Sequence, residues 1–216
     1  MDTIRFKNYR CFDDTKEIEI KPLTFLLGSN SSGKSSFLKF FPLLKQSMGL
    51  RRNGTFLWLG NNVDFKDFKN TVKDGKGNMT IEFSFNNFKC RNNSPFDEEI
   101  NHYDGCTMHV RVVVASKDER YDYIKEFCLE YLDQKIKVSC KKNNVGSVEV
   151  NGFKLSDEYS ECMIFSNSNL LPDLLFTGNS DKGSRMWTST NMWAREQIDN
   201  IIGKNKEFVS KFRYND

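Results

Sequence analysis

Residues 28–35 read Gly28-Ser29-Asn30-Ser31-Ser32-Gly33-Lys34-Ser35, and every fixed position of the G-x-x-x-x-G-K-[ST] pattern is filled. The flanks matter as much as the match. Upstream, Leu23-Thr24-Phe25-Leu26-Leu27 is an almost unbroken apolar run, the pattern of a strand buried on both faces. Downstream of Lys34, the residues Phe37, Leu38, Phe41 and Leu44 recur at helical spacing, with Pro42 predicting a kink or an early end. Strand, glycine loop and helix in that order predict a phosphate-binding turn. Glycines allow backbone angles that let successive N–H groups converge on an anion, and the helix N-terminus adds positive potential. On this reading Gly28 and Ser29 open the loop, and Asn30, Ser31, Ser32 and Gly33 supply the backbone cradle. Lys34 reaches the β- and γ-phosphates, Ser35 places its hydroxyl on Mg²⁺, and Ser36 bonds the α-phosphate. ATP with Mg²⁺ is the expected ligand.

Outward from the loop, residues 3–9 alternate apolar and polar and residues 17–20 alternate again after Asp13-Asp14-Thr15, which predicts a β-hairpin turning at 13–15. A short helix is expected around 64–72. Residues 79–85, 107–113, 135–140 and 147–153 each alternate, predicting four half-buried strands of an antiparallel sheet, with a polar loop over 89–105. Met192, Trp193, Ile198, Ile201, Ile202, Phe208 and Phe212 fit one or two amphipathic helices.

Composition narrows the function classes. The 216 residues suffice for one domain with a real core, and 19 Phe, seven Tyr and three Trp supply its volume. The 32 Lys and Arg against 29 Asp and Glu leave +3, too little to imply a nucleic-acid coat protein, although a local basic patch such as Lys135, Lys137, Lys141 and Lys142 could meet phosphates or simply keep a sheet edge soluble. No apolar run approaches the ~20 residues that cross a bilayer, and no secretory leader is visible, so a cytoplasmic protein is expected. The six cysteines form no C-x-x-C pair, and free thiols are expected rather than a zinc site.

Hydrolysis is a separate matter. It needs a second carboxylate, normally at the tip of an apolar strand. Asp118-Glu119 stands two residues out of register after the 110–115 run, and Cys162-Met163-Ile164-Phe165 is followed by Ser166-Asn167. No Leu-Ser-Gly-Gly signature and no N-K-x-D guanine-reading motif occurs, so no catalytic residue is identified.

Ile4, Asn8-Tyr9-Arg10 and Phe12, a second strand, then the apolar run and glycine loop within the first 36 residues resemble the N-terminal lobe of SMC/RecF-like ABC-type ATPases. The stretch from Leu27 to Ser36, Leu43-Leu44-Lys45-Gln46-Ser47, and the segment from Val63 to Val72 before Ile81-Glu82-Phe83 are similar to bacterial AAA-type ATPases related to the overcoming-lysogenization-defect (OLD) proteins of phage-defence systems. The resemblance covers residues 1–85 and is only architectural beyond. It implies an α/β P-loop NTPase fold, an ABC-type head lobe with an antiparallel β-sheet subdomain and C-terminal helices. The expected division is a nucleotide-binding core over 1–85, a β-rich extension over 86–160 and a helical segment over 161–216. It also implies a homodimer or higher oligomer whose heads sandwich ATP, with the Walker B acid and signature supplied by a second half, and control of an attached or partner effector nuclease. That half is missing here, so the fold is expected to be incomplete and a fragment is favoured. The alternative is a non-hydrolysing nucleotide-binding scaffold or regulatory subunit.

Three further expectations concern the neighbourhood of the loop. Arg10 either stands near the nucleotide phosphates, as in related ATPases, or is a solvated surface arginine. Tyr9 or Phe12 either stacks on adenine or packs in the core. Gln46, twelve residues beyond Lys34, is carried ~18 Å along the helix, too far for a direct metal role. The Trp187, Met192 and Trp193 cluster packs on its own domain or marks a partner surface.

Overall fold

The computed structural model describes residues 1–47, 54–86, 107–116, 122–131, 134–141, 144–154, 163–165 and 174–176. The expected polar loop over 89–105, Asp118-Glu119, Lys142, the tryptophan cluster and the C-terminal helices lie outside them.

Among the described residues the chain builds a large antiparallel sheet with one α-helix on its inner face. The strands are β1 (Thr3–Tyr9), β2 (Phe12–Asp14), β3 (Ile18–Glu19), β4 (Met79–Phe85), β5 (Met108–Ser116), β6 (Asp122–Tyr131), β7 (Gln134–Lys141), β8 (Asn144–Val150) and β9 (Phe153–Lys154), with helix α1 (Lys34–Ser47) between β3 and β4. Their order is β2-β1-β4-β5-β6-β7-β8-β9, and β3 also pairs with β1. A separate two-stranded ladder joins β10 (Met163–Phe165) to β11 (Leu174–Phe176).

Period-2 alternation sends one set of side chains to each face. On the inner face Phe6, Ile81, Val112, Phe127, Val138 and Val148 stand opposite one another across six strands, and all are fully buried. On the outer face Arg5, Glu82, Arg111, Cys128, Lys137 and Glu149 form the neighbouring row. Ion pairs lace this face: Arg5 and Lys7 to Glu82, and Arg111 and Lys137 to Glu126. Lys135 pairs with Glu130, so two members of the sequence's basic stripe are neutralised by neighbours.

Helix α1 lays Phe37, Phe40 and Leu43 onto the β1–β4 end of the inner face. Phe40 meets Phe6 edge-on at 4.6 Å and lies within 6.4 Å of Phe56 and Phe83. The aromatic volume counted in the composition is therefore concentrated where the helix meets the sheet. The helix continues through Pro42 to Ser47, so no early end occurs there.

Three sequence expectations are corrected. The hairpin turns at Arg10-Cys11, because Tyr9 pairs with Phe12 and Lys7 with Asp14; the acidic residues at 13–14 belong to or flank β2. No helix forms over 64–72. The Asp64 and Asp67 carboxylates accept the backbone N–H groups of Lys66 and Asn70, and such local bonds compete with a helix. Val63, Phe65, Phe68 and Val72 are buried from a chain of bends instead, followed by a 3-10 turn at Lys73–Gly75.

The third correction is the largest. Residues 23–27 form no strand, and Leu23, Phe25 and Leu27 are 71%, 76% and 92% exposed. Only Leu26 packs against the core. The run has the composition of a doubly covered parallel strand, but no strand among the described residues lies beside it.

Beyond the corrections, β6 is an addition. Its buried residues Ile124, Phe127 and Leu129 are spaced three and then two apart, because the β5/β6 register shifts between Val113 and Val114. A bulge of this kind breaks period-2 alternation and hides the strand from pattern reading.

Candidate functional site

The loop over 28–33 leads directly into α1, whose first turn carries Lys34, Ser35 and Ser36. The Phe37 N–H closes on the Gly33 carbonyl at 2.9 Å, while the N–H groups ahead of it have no acceptor within the helix. The Lys34 ammonium folds back onto the loop and donates to the Gly28 carbonyl at 2.7 Å and the Ser29 carbonyl at 2.5 Å. Its charge therefore sits at the mouth of the loop.

Gly33 is the steric pivot. Its φ of +95° disfavours any side chain, and a Cβ there would lie 2.4 Å from Cζ of Phe12 and 2.6 Å from Sγ of Cys11. The β1–β2 hairpin tip thus rests on the backbone of the loop. Replacing Gly33 by alanine is expected to cost about 3 kcal/mol of stability, combining left-handed strain with overpacking. Chemical denaturation measures this; a variant as stable as the parent would show that the hairpin does not bear on the loop.

The hairpin tip is in turn stitched to the segment after residue 64. Asn8 and Arg10 have φ of 55° and 54°. The Asn8 carboxamide donates to the carbonyls of Lys76 and Asn78 at 2.8 and 2.9 Å, and the Arg10 N–H donates to the Thr71 carbonyl at 2.7 Å. The Arg10 guanidinium donates through Nη1 to the Asn70 carbonyl at 2.7 Å and covers the Phe65 ring at 5.3 Å. Tyr9 is fully buried and donates its hydroxyl to the Ser36 carbonyl at 2.8 Å, tying β1 to the first turn of α1. Burial raises the Tyr9 phenol above its ordinary range, so it remains a donor.

Between these walls lies a cleft of about 450 Å³ lined by Arg10, Cys11, Asn30, Ser31, Ser32, Gly33, Lys34, Ser35, Ser36, Asn70 and Val72. The volume is in the range of small-molecule sites. Among the described residues its lining carries two cations and no carboxylate, which suits a polyanion. Eight of the ten residues nominated from the sequence line this cleft, and the other two, Gly28 and Ser29, accept from the Lys34 ammonium; the lining also includes Cys11, Asn70 and Val72. Those last three carry no motif and are reached only through the hairpin turn and the 64–72 bends. Residues 1–211 match the family model described as the AAA ATPase domain. The chain belongs to that family. Membership supports a nucleotide-binding ATPase function for this AAA ATPase domain, and implies ATP as the nucleotide, commonly with Mg²⁺. No curated protein and no solved structure matches the chain.

Other sequence candidates fall away from the cleft. Phe12 packs against Gly33 and does not line the cleft, and Tyr9 is enclosed, so neither ring is placed to stack on a base there. The Gln46 carboxamide is spent on structure: it donates to the Leu57 and Val63 carbonyls and accepts from the N–H groups of Asn62 and Val63. Burial raises the Cys128 and Cys140 thiols, Cys140 to about 12, which keeps both inert. Among the described residues no cluster of His, Cys, Asp and Glu is placed to hold a metal ion, and no helix is long and apolar enough to cross a membrane.

Sequence reading missed Asp122. Its buried carboxylate accepts from the N–H groups of Thr55 and Phe56 at 3.0 and 3.2 Å and from the Trp58 indole at 3.0 Å. It does not line the cleft. Its role is to anchor the segment behind α1.

Proposed function

We propose that this chain is the ATP-binding lobe of an OLD-like, SMC/RecF-type ATPase, with a P-loop (Walker A) at 28–35, whose heads dimerise around ATP to control an attached or partner effector nuclease in bacterial anti-phage defence. The observation that carries the nucleotide reading is the cleft itself: a glycine turn on a helix N-terminus, two cations and no acid. The effector and the defence role rest on the resemblance of residues 1–85.

Ser35 suits Mg²⁺ as a hard hydroxyl ligand on the cleft wall, with phosphate oxygens and water completing the shell. The ion would neutralise charge on the phosphates. In this reading Lys34 leaves the Gly28 and Ser29 carbonyls for the β- and γ-phosphates, and the loop N–H groups replace the water around them.

The exposed run at 23–27 supports completion by further strands, in the same polypeptide or a partner. Leu23, Phe25 and Leu27 offer alternate apolar side chains on an unpaired backbone. A second half seated there would bring the acid and signature that the cleft lacks. With that half present, ATP but not ADP is expected to drive dimerisation in sedimentation velocity, and turnover is expected to appear. Without it, ATP should bind with negligible turnover. ATP binding without turnover or dimerisation in the completed protein would favour the non-hydrolysing regulatory subunit, for which the acid-free cleft already speaks.

A further inference from the structure

We infer that the nucleobase stacks on the guanidinium plane of Arg10, making this residue a base platform rather than a phosphate ligand. The inference rests on the nucleotide reading of the cleft. With the phosphate chain held by the loop and the first turn of α1, ending at Ser36, the nucleoside must leave toward the opposite wall. That wall consists of Arg10, Cys11, Asn70 and Val72.

Among the described residues no aromatic side chain lines that wall. Tyr9 is enclosed and bonded to Ser36, Phe12 packs against Gly33 outside the lining, and Phe65 is only 4% exposed with its ring already covered by Arg10. Arg10 is the planar, delocalised group that lines the cleft. Its orientation is set from several sides: the backbone by the Arg10 N–H to Thr71 bond, the plane by Nη1 on the Asn70 carbonyl, and one face by Phe65 at 5.3 Å. A guanidinium whose one face lies on an aromatic ring can take a base on the other.

The experiment separates stacking from charge by comparing Mg-ATP with inorganic tripolyphosphate, which lacks a base. Calorimetric affinities are measured for the parent, Arg10→Lys, which keeps the charge and removes the plane, and Phe65→Leu, which removes the backing ring. Stacking predicts that Arg10→Lys weakens ATP about tenfold while tripolyphosphate changes less than about twofold, since base stacking on aromatic side chains spans roughly 5- to 150-fold. Phe65→Leu should shift ATP in the same direction by less, with retained tripolyphosphate binding reporting that the variant is folded. Parallel losses for both ligands, or no loss for either, would overturn the platform. A parent protein that binds neither ligand would instead remove the nucleotide reading on which the platform depends.

Discussion

Lys34→Ala is expected to weaken Mg-ATP binding about 100-fold, from the loss of charge-assisted bonds to two phosphates, while leaving the melting temperature nearly unchanged. The two halves of that expectation have separate causes. Lys34 sits at the mouth of the loop and contacts only the Gly28 and Ser29 carbonyls and the Ser32 hydroxyl, all near solvent. Its removal exposes those groups to water, and surface changes of this kind stay within about 0.5 kcal/mol. In the proposed nucleotide complex the same ammonium would face concentrated negative charge at the end of a helix dipole, where no carboxylate among the described lining residues competes for it. Titration of a fluorescent ATP analogue measures the loss. Unchanged affinity would remove the phosphate-loop assignment outright.

Asp122→Ala is expected to cost about 3 kcal/mol or more, because three buried N–H donors, from Thr55, Phe56 and Trp58, lose their common acceptor. The segment they anchor carries Phe56 and Trp58 into the aromatic cluster around Phe40, so the damage reaches the support of α1. Urea denaturation followed by circular dichroism reports it, and a loss below about 1 kcal/mol would mean that water replaces the carboxylate at little cost.

The pH dependence carries the sign of burial. Desolvation raises the Asp122 carboxyl above its ordinary value despite its three donors. Its folded form therefore binds its proton more readily than the unfolded chain does. The contribution is full below the ordinary carboxylate value and is lost as pH rises through the raised one. Asp14 acts oppositely: the Arg5 guanidinium holds it well below the carboxylate range, so its contribution is present at neutral pH and is lost on acidification. Comparing parent with Asp122→Asn cancels Asp14. The stability gap between the two should widen as pH falls from 7 toward 4, and a gap that narrows would reverse the assigned sign.

Legibility followed the range of the forces involved. The loop at 28–35, helix α1, and strands β4, β5, β7 and β8 were readable because each is specified within a few residues, by φ freedom at glycine or by apolar period. The segment at 64–72 spaces its buried residues as a helix would, while Asp64 and Asp67 capture the backbone N–H groups that a helix would need. Strand β6 was hidden by its bulge, and Asp122 with it, since a single acidic residue at a strand start carries no pattern.

The residues at 28–36 declare their chemistry locally: backbone angles, one ammonium and a helix start are written into consecutive positions. Which groups stand across from that loop is another matter. Arg10, Cys11, Asn70 and Val72 are brought there by the β1–β2 turn and by bonds from Asn8 and Arg10 to a segment some 60 to 70 residues away. The same holds for the run at 23–27, whose composition announces a buried strand and whose burial depends on neighbours. Hydrophobic pattern states what a segment needs; only the tertiary contacts state what it has, because burial and strand pairing are properties of two segments and never of one.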